Sequence, residues 1–163
     1  MQVTAHYVPE IDKIVRISTD ITDLKQSEMR EATVSQVMTA IAMGSDLRSV
    51  LELLCRRIEA ELPGVMASVL LVDSGGKHLT IGAAPNLPEF YNRAIEGIEI
   101  GPDVGSCGTA AYTGRRTIVE NIPADPLWKN FRALAEKANL RACWSDPIVR
   151  HDGVVLGTFA LYQ

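Results

Sequence analysis

At 163 residues the chain has room for one domain and a connector, and 47% hydrophobic against 22% charged residues is ordinary globular composition, far from that of a disordered chain. Sixteen basic residues against twenty acidic ones give a formal charge of −4, and no basic stripe runs along the sequence, which argues against nucleic acid as a direct partner. No apolar run approaches the ~20 residues that span a bilayer, and the stretch from Met1 to His6 lacks a basic-then-apolar leader, so a cytoplasmic chain without membrane insertion is expected.

Taken in order, residues 1 to 19 hold two short alternating pieces, Val3–Val8 and Lys13–Ser18, punctuated by Pro9 and Asp12, and these read as strands. Two strands cannot stand alone, so they look like the end of a domain that begins earlier. From Asp20 the pattern turns helical. Thr19 or Asp20 is placed to cap, and Ile21, Leu24, Val34, Val37, Met38 and Ile41 follow at three- and four-residue spacings, with Lys25, Glu28, Arg30 and Glu31 outside. So narrow a stripe calls for a partner helix, and a parallel homodimer through residues 20–44 is expected. Gly44 closes this segment, and Leu47, Val50, Leu51, Leu54, Ile58 and Leu62 line a second helix that stops at Pro63-Gly64.

Beyond Gly64 strands and helices mix. Ala67–Val72 and Lys77–Gly82 flank the Ser74-Gly75-Gly76 turn and predict a hairpin. Short helices fit Pro88–Glu96 and Ser106–Tyr112, and Thr117–Ile122 reads as a strand. Asp125 followed by Pro126 opens a predicted helix to about Asn139, with Leu127, Phe131, Leu134 and Ala138 on one face. Arg141–Val149 and Val154–Tyr162 flank an Asp152-Gly153 turn as a last hairpin. The predicted fold class is α+β, a five- or six-stranded, mostly antiparallel sheet with helices on its faces.

Gly105-Ser106-Cys107-Gly108-Thr109-Ala110-Ala111, then Thr117–Ile122, Asp125-Pro126-Leu127-Trp128, and the closing pair Arg141–Ile148 and Gly153–Tyr162 resemble GAF domains of bacterial signalling proteins over about residues 45 to 163. The resemblance implies a sensory module, and because the family usually adds a C-terminal helix after the last strand, it also implies a piece of a longer protein. Tyr7-Val8-Pro9 and Asp20-Ile21-Thr22-Asp23-Leu24-Lys25 are similar to the end of a PAS domain running into a signalling helix. The implied domains are a PAS tail at 1–19, a connector helix at 20–44 and a GAF domain from 45 to 163. The implied output lies downstream: cyclic-di-GMP turnover or a histidine kinase.

Within the GAF-like stretch, the Gly-rich turn opens a helix whose free N–H groups suit an anionic or carbonyl group, and the competing reading is a tight turn and nothing more. The candidate ligand contacts are Ser106, Cys107, Thr109, Glu120, Trp128, Phe131, Cys143 and Ser145, with Trp144 a further candidate for an aromatic lining. The cavity is expected among the helix from Ser106, the strand Thr117–Ile122, the helix Asp125–Asn139 and the strand around Cys143. Cys55, Cys107 and Cys143 are odd in number and form no C-x-x-C, so reduced thiols are expected. Neither they nor His6, His78 and His151 show metal-ligand spacing, so no metal is predicted, and the cofactor and the small-molecule ligand stay unspecified.

Three functions compete: a non-catalytic sensor that turns a ligand or redox event into a change of helix packing, a GAF-type free methionine-R-sulfoxide reductase, and a ligand-free dimerisation module. The reductases also carry a cysteine in a G-x-C-G-T-A-A stretch. Their second, catalytic cysteine lies in a distinct loop ahead of the Pro-Ile strand, however, and Cys143 sits too close to Pro147-Ile148 to match it.

Overall fold

The computed structural model describes residues 2–8, 13–19 and 22–163, with side chains from Glu31 onward. Gln2–Val8 (β1) and Lys13–Thr19 (β2) pair antiparallel, Gln2 opposite Thr19 and Val8 opposite Lys13, as a sheet of their own. The punctuation at Pro9 and Asp12, the Asp20 cap and Ile21 lie outside the described residues, as do the side chains of Leu24 to Arg30.

Thr22–Ala42 (α1) is the connector helix. It ends where Gly44 takes a φ of 77°, which lets Ser45 N–H reach the Ala40 carbonyl at 3.0 Å and Gly44 N–H the Ile41 carbonyl at 3.0 Å. α1 lies against Leu47–Glu61 (α2), tied by the Thr33 hydroxyl donating to Glu61 at 2.8 Å. Its apolar stripe stays bare: Val34 is 56% and Met38 60% exposed. Asp46 starts α2 by accepting from Ser49 N–H at 3.1 Å and from its hydroxyl at 2.6 Å, and these two bonds, the hydroxyl first, hold the Asp46 carboxyl below its usual value.

The main sheet has six strands in the order β5-β4-β3-β8-β7-β6: Met66–Val72 (β3), His78–Ala83 (β4), Ile98–Glu99 (β5), Thr117–Val119 (β6), Cys143–Val149 (β7) and Val155–Tyr162 (β8). Every neighbouring pair is antiparallel. The Ser74–Gly76 signal makes the predicted hairpin, closed by Asp73, whose carboxylate accepts from Lys77 N–H at 2.9 Å and His78 N–H at 3.1 Å. Those bonds, Lys77 first, pull the Asp73 carboxyl down to about 2. With the folded value below the unfolded carboxylate value of ~3.9, the turn's contribution is present above that value and is lost as pH falls toward 2. An NMR titration should therefore find the Asp73 midpoint near 2, and Asp73→Asn should remove that step from acid unfolding. A midpoint near 4 would mean the carboxylate does not close the turn.

Each face of the sheet has its own core. On the outer face α2 sets Cys55 and Leu51 against Ala67, Val69, Phe159 and Leu161. On the inner face Glu89–Ile95 (α3), Gly105–Thr113 (α4), a 3₁₀ turn Pro126–Trp128 and Arg132–Lys137 (α5) close over Leu70, Leu79, Cys143, Ala160 and Tyr162. The predicted Asp125–Asn139 helix is therefore two pieces. The chain leaves the 3₁₀ turn at Lys129 and restarts after Phe131, so that Trp128 turns inward while Ala135 and Ala138 settle on the core. Asn139, with a φ of 57°, ends α5 as foreseen. β6 stops at Val119, short of the expected Ile122, although Ile122 N–H still reaches the Arg141 carbonyl at 2.8 Å.

Candidate functional site

Two glycines of the Gly-Ser-Cys-Gly turn have separate tasks. Gly105 opens α4 with a φ of 55°, a conformation that side chains disfavour. Gly108 lies so close to β5 that an added Cβ would stand 2.9 Å from the Glu99 carbonyl oxygen and 2.7 Å from Val104. Between them Ser106 and Cys107 are turned onto the inner face of the sheet. Ser106 receives the Trp128 indole N–H at 3.1 Å, both groups buried, which pins the 3₁₀ turn to α4.

At this junction lies a small, mostly apolar cavity of about 20 Å³, enough for about one water molecule. Its walls are Tyr91 and Ile95 of α3, Ile98 of β5, the Val104–Cys107 turn, Trp128 with Phe131, and Leu70 and Tyr162 from the sheet. The aromatic walls meet edge to face: Tyr91 and Tyr162 centroids are 6.1 Å apart, and Trp128 and Phe131 6.5 Å.

Behind the cavity the inner face of β7 and β8 is polar. Cys143 and Ser145 alternate along β7, and Thr158, Ala160 and Tyr162 along β8, with Cys143 registered opposite Tyr162 and Ser145 opposite Ala160. The Tyr162 hydroxyl is 3.2 Å from the Ser68 hydroxyl and 3.5 Å from the Cys107 sulfur. Cys107 and Cys143 are neighbours in the inner core, and the Cys107 thiol is drawn below its ordinary value, first by Cys143, then by the hydroxyls of Tyr162, Ser145 and Thr158, against its burial. Burial, then the neighbouring Cys107, pushes Cys143 up, and burial pushes up Tyr91 and Tyr162.

Of the residues singled out from sequence, Ser106, Cys107, Trp128 and Phe131 line the cavity, and Cys143 and Ser145 lie buried beside Cys107. Thr109 does not reach it: its hydroxyl donates to the Pro102 carbonyl at 3.1 Å and holds the loop before α4. Glu120 is exposed, at the rim of a separate open hollow between the end of α2 and strands β6–β8. Trp144 is on the outer face, donating to Asp146 at 3.0 Å beneath the Arg116 guanidinium. β6 thus takes no part in the cavity, and α3, β5 and β8 supply walls that were not expected. Tyr91 and Ile95 were signalled by their spacing of four on a short helix, and Tyr162 by a phenol closing an apolar strand, where its hydroxyl needs a buried partner. Among the described residues no group of three or more His, Cys, Asp or Glu could hold a metal ion, and no helix is long and apolar enough to cross a membrane.

The sequence pattern of the GAF domain family matches residues 44–163. The methyl sulfide methyltransferase-associated sensor of Methanosarcina acetivorans is 42% identical over 143 residues, 88% of this chain, and the chain spans 14% of that protein's length. A GAF sensor protein from Burkholderia vietnamiensis shares the fold with a TM-score of 0.64 at 21% identity, over 84% of this chain and 78% of that one. The free methionine-R-sulfoxide reductase of Neisseria meningitidis does so with a TM-score of 0.60 at 19% identity, over 90% of this chain and 77% of that one. With the antiparallel sheet, the Gly-Ser-Cys-Gly turn and a helix-covered cavity all in place, the chain belongs to the GAF domain family and is homologous to a segment of the Methanosarcina protein.

Proposed function

We propose that this domain is a non-catalytic sensor: a small molecule held in the inner cavity shifts α3 and the Trp128 turn, and the displacement passes through the sheet to α2 and the connector helix. The observation that carries this reading is the placement of cavity and connector on opposite faces of the same strands. Leu70 of β3 lines the cavity, while Ala67 and Val69 of that strand pack against Cys55 and Leu51 of α2, which holds α1. A second tie runs around the sheet's end, where buried Glu59 of α2 accepts from Ala67 N–H at 2.8 Å and from Asn86, in the loop before α3, at 2.6 Å. A cavity of about 20 Å³ holds little more than a water, so the ligand enters by moving the short wall elements.

The bare stripe of Val34, Met38 and Ile41 supports a homodimer through α1, and the PAS-like tail at residues 1–19 supports a multi-sensor parent whose output, cyclic-di-GMP turnover or a histidine kinase, is carried elsewhere. The ligand belongs to the class of small, largely apolar molecules with one polar group for the Ser106–Cys107 turn.

Native mass spectrometry of the chain purified from its host should show a retained small molecule that dissociates on unfolding. Ile98→Phe, which fills the cavity, should lose it while keeping its circular dichroism. A chain that carries nothing and takes up nothing from a metabolite extract would favour the dimerisation-only function. Incubated with free methionine-R-sulfoxide and a dithiol, the protein should show no turnover, since Cys143 lies too close to Pro147-Ile148 to fill the position of the reductases' catalytic cysteine.

A further inference from the structure

Two hydroxyls of the inner face are not accounted for by packing. Ser145 and Thr158 are both 0% exposed, and among the described residues neither has a hydrogen-bond partner of ordinary length. A buried hydroxyl without a partner is costly and rare. Both approach the Cys107 sulfur, which also has the Tyr162 hydroxyl at 3.5 Å and Cys143 alongside. One sulfur thus sits in a nest of three hydroxyls and a second thiol, with the cavity on its open side.

We propose that Cys107 and Cys143 form a peroxide-reactive dithiol: hydrogen peroxide entering the inner cavity oxidises Cys107 to a sulfenic acid, which Cys143 converts to a Cys107–Cys143 disulfide. In the first step the Cys107 sulfur attacks one peroxide oxygen, the O–O bond breaks, and the departing hydroxide leaves as water with the proton of the Cys107 thiol. Sulfur gives up two electrons and peroxide is reduced. Ser145 and Thr158 then have the partner they lack, the new sulfenic oxygen. In the second step the Cys143 sulfur attacks the Cys107 sulfur, the S–O bond breaks, the S–S bond forms, and the Cys143 proton leaves with the hydroxyl as a second water. Two thiols and one hydrogen peroxide give one disulfide and two waters.

The Cys107 thiol, eased toward reaction by the groups around it, fits the attacking partner, and Cys143, held protonated chiefly by burial, the resolving one whose proton leaves with the hydroxyl. With its walls closed the cavity selects the oxidant, because hydrogen peroxide is little larger than the single water it holds whereas an organic hydroperoxide, several times larger, must first displace the walls. Cys55 serves as an internal control: it lies in the other core, under α2, and burial pushes its thiol up to about 12. This inference rests on the sensor reading only in treating the disulfide as a signal.

The test is mass spectrometry of the reduced full chain treated with hydrogen peroxide, then alkylated under denaturing conditions and digested. The expected result is a loss of about 2 Da and a peptide joining Cys107 to Cys143, with Cys55 alkylated. Cys143→Ser should stop at a sulfenic acid on Cys107, about 16 Da heavier and trapped by dimedone, and Ser145→Ala with Thr158→Val should slow its formation about tenfold. No oxidation, a lasting sulfenic acid on wild-type Cys107 without the cross-link, oxidation first at Cys55, or cumene hydroperoxide reacting as fast as hydrogen peroxide would each overturn the proposal. The wild-type result decides even if a variant fails to fold. A chain that retains a small molecule but forms no cross-link rejects the dithiol and leaves the sensor reading standing.

Discussion

Gly157→Ala should lower the midpoint of thermal unfolding by about 10 °C. Gly157 is in β8, opposite Leu71 of β3 and Ile148 of β7, and an added Cβ would fall inside hard contact with the Leu70 carbonyl oxygen. The obstacle is backbone on a central strand, so relief requires β3 and β8 to move apart and weakens pairing on the side the two cores share. Overpacking costs about 1–3 kcal/mol, and this position belongs at the upper end; at about 3 °C per kcal/mol for a chain of this size, the shift follows. Leu156→Ala, at the partly exposed neighbour, should move the midpoint by only a degree or two. Calorimetry of both variants is the check, and a shift below about 3 °C for Gly157→Ala would contradict the register of β3 on β8.

Trp128→Ala should cost about 3–5 kcal/mol, the usual loss for a buried tryptophan, because it opens the cavity wall and leaves Ser106 without its donor. Trp128→Phe separates the two parts: it keeps most of the apolar contact with Phe131 and removes the indole N–H, and should cost about 1–3 kcal/mol. Trp144→Phe, on the outer face, should cost under about 1 kcal/mol. Urea unfolding of the three variants tests the order. Equal losses at Trp128 and Trp144 would remove the basis for placing the 3₁₀ turn in the wall of the site.

What could be read from sequence was what is settled locally. The Ser74–Gly76 and Asp152–Gly153 turns fix hairpins within a few residues, and Gly44 and Asn139 end helices through their own backbone angles. β3 illustrates the limit: residues 67 to 70 are all buried, one side against α2 and the other against the inner core, so no alternation marks its two faces. The break after Trp128 was hidden for a related reason. Leu127, Phe131, Leu134 and Ala138 keep a helical spacing across it, and Trp128 is turned inward by groups distant in sequence, the inner core that buries its ring and the Ser106 hydroxyl that takes its N–H. The candidate site was legible where its parts share one motif, Ser106 with Cys107, and illegible where they meet through topology. Tyr91 and Tyr162 reach it from 16 residues before and 55 residues after Cys107, as those residue numbers give. Thr109 and Glu120 were chosen by residue type, and their surroundings turn them elsewhere.

The strand order bears on how the domain is made. β3 forms early in the chain, yet its partner on one side is β8, so Val69 waits for Phe159 and Met66 for Tyr162. A ribosome must deliver residues 155–162 before the middle of the sheet can zip, and until then the β3–β4 hairpin presents an unpaired apolar edge to its surroundings. Pairings so distant in sequence fold slowly, because the intervening loop must close before any contact repays it. The period of greatest exposure to aggregation therefore falls during synthesis, and a chaperone that shields β3 should raise the yield of folded protein more than any substitution in the finished core.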